Sequence, residues 1–160
     1  MSQNHTIFIA LGSNTGDKLA SIQLALRFLS EKVLITKNAC VYRTKPWGYT
    51  DQDFFLNTAL VGTTELSPEE LLHFIKEVEV RVGRQKRFTN GPREIDIDIL
   101  FYEDLILEGP DLQIPHPRLH ERDFVLKPLL DIKPNFVHPK LQVSLLALYK
   151  KIKPEDIHVL

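Results

Sequence analysis

Apolar and polar positions along this chain follow two rhythms, one of two residues and one of three to four, and their order predicts the elements. Residues 6–11 form a short apolar run closed by "GSNTGDK", after which Leu19, Ile22, Leu26 and Leu29 recur at helical spacing. That reads as strand, turn, helix. Residues 33–43 are rich in β-branched and aromatic side chains and read as one strand, with Cys40 buried within it. "TKPWGYTDQD" is a polar, turn-forming loop, and residues 54–63 are again strand-like. "SPEE" joins an N-cap serine, Ser67, to a proline at the first helical position and to Glu70 three residues on, which is a capping box. The helix it opens carries Leu71, Phe74, Ile75, Val78 and Val82 on one face and ends at Gly83. A basic loop, "RQKRFTNGP", then leads into an alternating strand over residues 93–102.

The order βαββαβ fits an α+β, ferredoxin-like core, an antiparallel sheet with both helices packed on one face. Beyond Asp104 the pattern is mostly loop, and apolar groups at 125–132 and 143–152 predict extra C-terminal helices. No repeat, linker or low-complexity segment interrupts the chain, so residues 1–160 are expected to form a single domain. Lys+Arg 20 against Asp+Glu 21 leaves a net charge of -1, without the positive surplus that would hold a polyanion. Nucleic acid is therefore not an expected partner. One cysteine forbids an internal disulfide, and no apolar run reaches membrane-spanning or signal-peptide length. A soluble protein of a reducing cytoplasm is expected, and with no heptad pattern to drive association, a monomer.

Local chemistry changes this bland picture. In "GPREIDIDIL" an extended strand would place Asp96 and Asp98 on one face about 6.7 Å apart, with Glu94 beside them, and Ile95, Ile97 and Ile99 on the other. A solvated outer face is the plain alternative. Aspartate is a poor strand former, however, and two like charges at that distance repel by about 2 kcal/mol at an effective dielectric near 20. A divalent cation reverses that sign. Oxygen-only ligands suit Mg²⁺, which keeps several waters and binds together with substrate phosphates. Arg84, Lys86, Arg87 and Arg93 cluster around the loop that enters this strand, where phosphates would be. Strict alternation would turn Arg93 to the isoleucine face, so it must stand outside the regular strand, next to Pro92.

Other motifs carry less. "GSNTGDK" lacks the spacing and the hydroxyl residue of a phosphate-binding P-loop, and reads as a turn with Asp17 at the helix start. His116 and His120 have no metal-ligand spacing, although beside Arg118 and Arg122 either could help neutralise a phosphate. Trp47, Tyr49, Phe54 and Phe55 surround a loop and a strand holding Asn57, which suggests a flat slot with one amide reader; core packing is the competing role for the phenylalanines.

Five landmarks in order, "ALGSN", "YRTKPWG", "FLNTA", "GPREIDIDIL" and "IPHPRLHERDFVLKPL", resemble the 6-hydroxymethyl-7,8-dihydropterin pyrophosphokinases of folate biosynthesis nearly end to end. The resemblance implies a ferredoxin-like fold and transfer of diphosphate from ATP to the pterin alcohol with release of AMP. It also implies two Mg²⁺ ions held by Asp96 and Asp98. Arg84, Arg93, His116 and Arg122 match residues around the triphosphate, Glu79 and Ile99 match positions near the nucleotide, and Lys86 or Arg87 matches a basic loop residue. Thr44, Pro46, Trp47, Phe55, Asn57 and Phe124 match the pterin slot. Two departures stand out. "FTN" occupies the place of a tryptophan before Gly91, leaving Phe88 as its substitute, and Asp111 stands where a basic residue sometimes precedes the Pro-His motif. An AMP-transferring nucleotidyltransferase using the same carboxylates is the rival enzyme. A ferredoxin-like RNA-binding module is the rival of another class, and the chain lacks its aromatic sheet motif.

Overall fold

The computed structural model describes residues 3–46, 48–152 and 157–160. Strands β1 (His5–Ser13), β2 (Leu34–Asn38), β3 (Tyr42–Thr44), β4 (Phe55–Thr64) and β5 (Asp96–Tyr102) alternate with helices α1 (Lys18–Leu29) and α2 (Pro68–Val82). All pairings are antiparallel, in the order β5-β1-β4, with β2 and β3 both lying along the far side of β4. This is the expected ferredoxin-like α+β arrangement. Both helices begin, and α2 ends, where the sequence signals stand. Asp17 accepts Ala20 N–H at the start of α1, Ser67 and Glu70 close the capping box of α2, and Gly83 ends α2 at φ 113°.

Sheet parity divides the core. Ile7, Ile9, Leu11, Leu56, Leu60, Ile95, Ile97 and Ile99 meet Ile22, Leu29, Leu71, Phe74 and Val78 of the two helices. On the opposite face Phe8, Ala59, Leu100 and Phe101 meet α3 (Asp123–Ile132) and α4 (Leu145–Lys150). Both C-terminal helices were expected; their task is to cover that second face. A bulge at Leu100, where Phe8 pairs with Phe101 but Ile9 with Ile99, lets Leu100 and Phe101 serve the same core.

Three details differ from the pattern. Residues 33–43 are two strands rather than one, because Asp131 of α3 takes the Cys40 amide (3.1 Å) and the Tyr42 hydroxyl (2.7 Å). Cys40 is accordingly exposed, not buried. Within the expected loop region a small hairpin forms, β6 (Leu107–Glu108) with β7 (Gln113–Ile114), and β8 (His158–Val159) extends the sheet beside β3. Among the described residues no helix is long and apolar enough to cross a membrane.

Replacing Ser67 with alanine removes the acceptor for Glu70 N–H and should lower stability by about 1 kcal/mol, read as a shifted urea midpoint with an unchanged slope.

Candidate functional site

The site begins as a property of three adjacent strands. Asp96 pairs with Gly12, which pairs with Asn57; Asp98 pairs with Ala10, which pairs with Ala59. Each row thus places a carboxylate beside small side chains on the α3 face of the sheet. The narrowness is real at Gly12, where an added Cβ would stand 2.6 Å from Asn57 Oδ1. Three buried isoleucines on the reverse face, each contributing about 2 kcal/mol, outweigh the repulsion between the two aspartates and hold them in register.

Edge geometry then recruits the cations. Among the described residues β5 pairs only with β1, so its outward Ile97 N–H needs a partner, which Glu79 Oε2 supplies at 2.9 Å. The same oxygen accepts Arg84 Nη1 at 2.7 Å, and that nitrogen reaches Asp96 Oδ1 at 3.1 Å. Glu79 is 4% exposed, and its burial raises its pKa despite the Ile97 amide and Arg84. For Arg84, burial works against the charge, but Glu79 and Asp96 outweigh it and raise its pKa.

Arg93 does leave the regular strand. β5 starts at Asp96, and Arg93 exchanges backbone contacts with Asn14: its N–H donates to Asn14 Oδ1 (2.9 Å) and its carbonyl accepts Asn14 N–H (3.1 Å). Freed from alternation, its side chain turns to the aspartate face. Nη1 donates to Gly91 O at 2.7 Å, Nε lies 3.5 Å from Asp96 Oδ2, and the guanidinium sits 4.8 Å from the Phe55 ring centre. Arg122 approaches from the start of α3, 5.7 Å from the Phe124 ring; burial lowers its pKa while Asp98 and Asp96 pull the other way. Burial, followed by the charges of Asp96 and Glu79, pushes the Asp98 carboxyl up to about 7 against Arg122 and Arg93.

One cleft gathers Gly12, Phe55, Asn57, Arg93, Asp96, Asp98, Arg122 and Phe124, together with Lys45, Asn90 and Val125. Thr44 is buried beside it and accepts Asn57 Nδ2 at 2.7 Å, and the half-buried Pro46 follows. Trp47 lies outside the described residues. His116 packs along the outer edge of β5, its N–H on Leu100 O at 3.1 Å. Its Nδ1 accepts Arg118 N–H, and burial with the nearby Arg122 brings its pKa down to about 4, so the neutral ring presents Nε2–H.

Some predicted residues stand elsewhere. The Ile99 side chain lies in the helix-covered core, leaving only its backbone, two residues beyond the outward Ile97 amide, on the strand edge. Glu94 does not join the acidic face; it pairs with Arg87 at 2.9 and 2.7 Å, which lowers its carboxyl to about 2. Arg87 is thereby committed, whereas Lys86 extends from the exposed loop. Phe88 meets the Tyr49 ring edge-on at 4.9 Å. Sequence reasoning passed over Gly12 and Asn14, both within the "ALGSN" landmark, and Gln52, which no pattern singled out.

Comparison with known proteins follows the same lines. Residues 8–134 match the family model described as 7,8-dihydro-6-hydroxymethylpterin-pyrophosphokinase (HPPK). The chain is 47% identical over 151 residues to a 2-amino-4-hydroxy-6-hydroxymethyldihydropteridine pyrophosphokinase of Aquifex aeolicus, covering 94% of this chain and 92% of that one. It is 46% identical over 141 residues to the folic acid synthesis protein FOL1 of Dictyostelium discoideum, covering 88% of this chain but 22% of that much longer one. Wild-type HPPK-DHPS of Plasmodium falciparum, solved with pteroate, superposes with a TM-score of 0.76 at 17% identity, over 94% of this chain and 45% of that one. That likeness is one of fold.

The raised Asp98 pKa has a signed consequence. Between about pH 4 and about pH 7 the folded protein keeps a proton that the unfolded chain has released, so this group's contribution to stability is lost as pH rises through that window. In metal-free buffer, the stability of Asp98→Asn relative to wild type should therefore climb from about pH 4 to about pH 7; a flat difference in urea midpoints would contradict the shift.

Proposed function

The chain belongs to the 7,8-dihydro-6-hydroxymethylpterin-pyrophosphokinase family, and from that premise we propose how its own residues transfer diphosphate from ATP to 6-hydroxymethyl-7,8-dihydropterin, releasing AMP, in folate synthesis. The observation that carries the reading is the single cleft in which Asp96 and Asp98 face Arg93 and Arg122 beside an aromatic and amide-lined slot.

The donor set fits magnesium. Asp96 and Asp98 are oxygen ligands on one strand face, and burial beside Asp96 and Glu79 makes the Asp98 carboxyl resist ionisation, a cost that a divalent cation would offset. Among the described residues no third His, Cys, Asp or Glu joins them as a metal-binding group, so phosphate oxygens and water would complete the shell. Asp96 and Asp98 would hold two such ions, which would offset the charge that develops on the transferred group. Arg84, Arg93 and Arg122 bind the remaining phosphate oxygens, turning from the aspartates they face in the free protein. His116 donates from Nε2 as a neutral ring, and Lys86, rather than the committed Arg87, adds the loop charge.

The pterin lies between Phe55 and Phe124. Asn57 reads its edge: with Nδ2 held by Thr44, the amide presents Oδ1, an acceptor for ring N–H donors. Attack by the hydroxymethyl oxygen on the β-phosphorus, in line with the departing AMP, needs no protein nucleophile; the chain positions reactants and spreads charge. We read residues 1–160 as one pyrophosphokinase domain that acts as a monomer in the cytoplasm on small molecules, with neither nucleic acid nor membrane as partner.

Incubation with ATP, Mg²⁺ and 6-hydroxymethyl-7,8-dihydropterin should yield AMP and pterin diphosphate. Adenylated pterin with free diphosphate would instead favour the nucleotidyltransferase. Asp96→Ala and Asp98→Ala should each lower turnover by ~10³-fold while circular dichroism stays native, and full activity in Asp96→Ala would falsify the metal assignment.

A further inference from the structure

Amides tie the loops around the cleft: Asn14 Nδ2 donates to Gln52 Oε1 at 2.7 Å, and Gln52 Nε2 to Asn90 O at 2.8 Å. The helix that brings Phe124 is fastened by other means. Among the described residues no side chain caps the start of α3, and Pro128 withholds the N–H that would meet the Phe124 carbonyl. Val125, Leu126 and Leu129 press the helix onto the sheet, but apolar contact is non-directional and fixes slide and rotation less closely than a hydrogen bond does. Asp131, in the last turn, supplies direction. Its Oδ2 accepts the Tyr42 hydroxyl at 2.7 Å and the Cys40 amide at 3.1 Å. Tyr42 is 6% exposed, and burial, reinforced by Asp131, raises its pKa, so the hydroxyl stays a donor. The strand side of this contact is held by β4: Thr58 Oγ1 reaches Ala39 O at 3.2 Å and Cys40 O at 3.0 Å, and Ala39 N–H donates to Ala59 O at 2.9 Å.

The contact joins the two sides of the slot. Tyr42 pairs with Asn57 and Thr44 with Phe55, so these four side chains share the face of the sheet that α3 covers. Phe124 and Asp131 stand about two turns apart on one face of α3. The helix face that closes the slot with Phe124 is therefore the face that Asp131 fastens to the strand beside Asn57. Resting on the pyrophosphokinase reading, we propose that Tyr42 and Asp131 are positioning residues of the pterin slot, whose hydrogen bond sets the gap between Phe124 on α3 and Phe55 and Asn57 on β4. Neither touches substrate. A ring held between aromatic walls gains its contacts only at van der Waals distance, so a small slip of α3 weakens pterin binding. The triphosphate side is less exposed to such a slip, because Arg84 hangs on Glu79 and Arg93 on Asn14, neither of them part of α3.

Steady-state kinetics with ATP, Mg²⁺ and 6-hydroxymethyl-7,8-dihydropterin separates positioning from bulk stability. Tyr42→Phe keeps the ring and loses the hydroxyl; it should raise the KM for the pterin roughly tenfold, with kcat and the KM for ATP within about threefold of wild type. Asp131→Ala should do the same, whereas Asp131→Asn, which keeps an acceptor oxygen for both donors, should hold the pterin KM within about threefold of wild type. A contact with only a structural role would lower the urea midpoint and the fraction of active protein, and so kcat, while leaving both KM values unchanged. That result overturns the proposal, as does an equal rise in both KM values. Should Asp131→Ala not fold, Tyr42→Phe decides alone. Hydrogen exchange in the ligand-free protein gives a second reading. Tyr42→Phe should speed exchange at Leu126, whose N–H bonds to Arg122 O at the start of α3, as well as at Cys40; acceleration confined to Cys40 overturns the link. Should the wild type not turn over the pterin, the pyrophosphokinase reading fails, and the exchange arm still decides whether Tyr42 and Asp131 place α3.

Discussion

Two carboxylates two residues apart on one strand face cannot be enclosed unless cations meet them, and the surroundings of β5 answer that constraint. Three guanidiniums converge from three directions, each held by a different device. Arg84 is anchored by the buried Glu79, which also closes the open edge of β5 at Ile97. Arg93 is turned towards Asp96 because its backbone is pinned to Asn14 before the strand begins. Arg122 comes from the opposite layer at the start of α3, which makes that helix part of the site as well as a cover for the sheet. Charge thus organises elements distant in the chain, while the apolar reverse of the same strand supplies the energy that keeps the carboxylates in place.

β1 shows how one strand serves both purposes. Its inner face, Ile7, Ile9 and Leu11, is apolar throughout and packs on α1 and α2. Its other face grades from Phe8, deep in the second core, through Ala10 to Gly12, and the side chain shrinks as the row approaches the aspartates. Volume removed from β1 is the volume of the cleft, and Asn57 from β4 leans into the gap that Gly12 leaves.

Much of this was legible in the chain. The helix ends were, because capping is local chemistry: Asp17, Ser67, Glu70 and Gly83 act on amides and carbonyls within a turn of themselves. The aspartate pair and the displacement of Arg93 followed from strand parity. What parity could not supply was any contact made across the chain. Cys40 was expected in a buried strand because its neighbours have β propensity, and it is exposed because Asp131, 91 residues away, takes its amide. Glu94 has the right parity for the acidic face but precedes the regular strand, where a bidentate arginine seven residues back outbids it. Asn14 and Gln52 look unremarkable because a primary amide advertises nothing until both its ends are placed.

The balance of charge explains why such a cleft can stay folded without ligand and still accept one. With all carboxylates ionised, Asp96, Asp98 and Glu79 are matched by Arg84, Arg93 and Arg122, so the charges of these six groups balance. In the proposed complex, a triphosphate carrying two magnesium ions would itself be close to neutral. On the proposed reading, binding is an exchange of partners rather than an addition of charge, in which guanidiniums would pass from aspartate to phosphate as metal ions took the aspartates. An exchange of that kind avoids the desolvation cost of bringing an unpaired charge into a buried site, but it requires the guanidiniums to move together. Glu79 holds Arg84 by its guanidinium, whereas Asn14 holds Arg93 by its backbone.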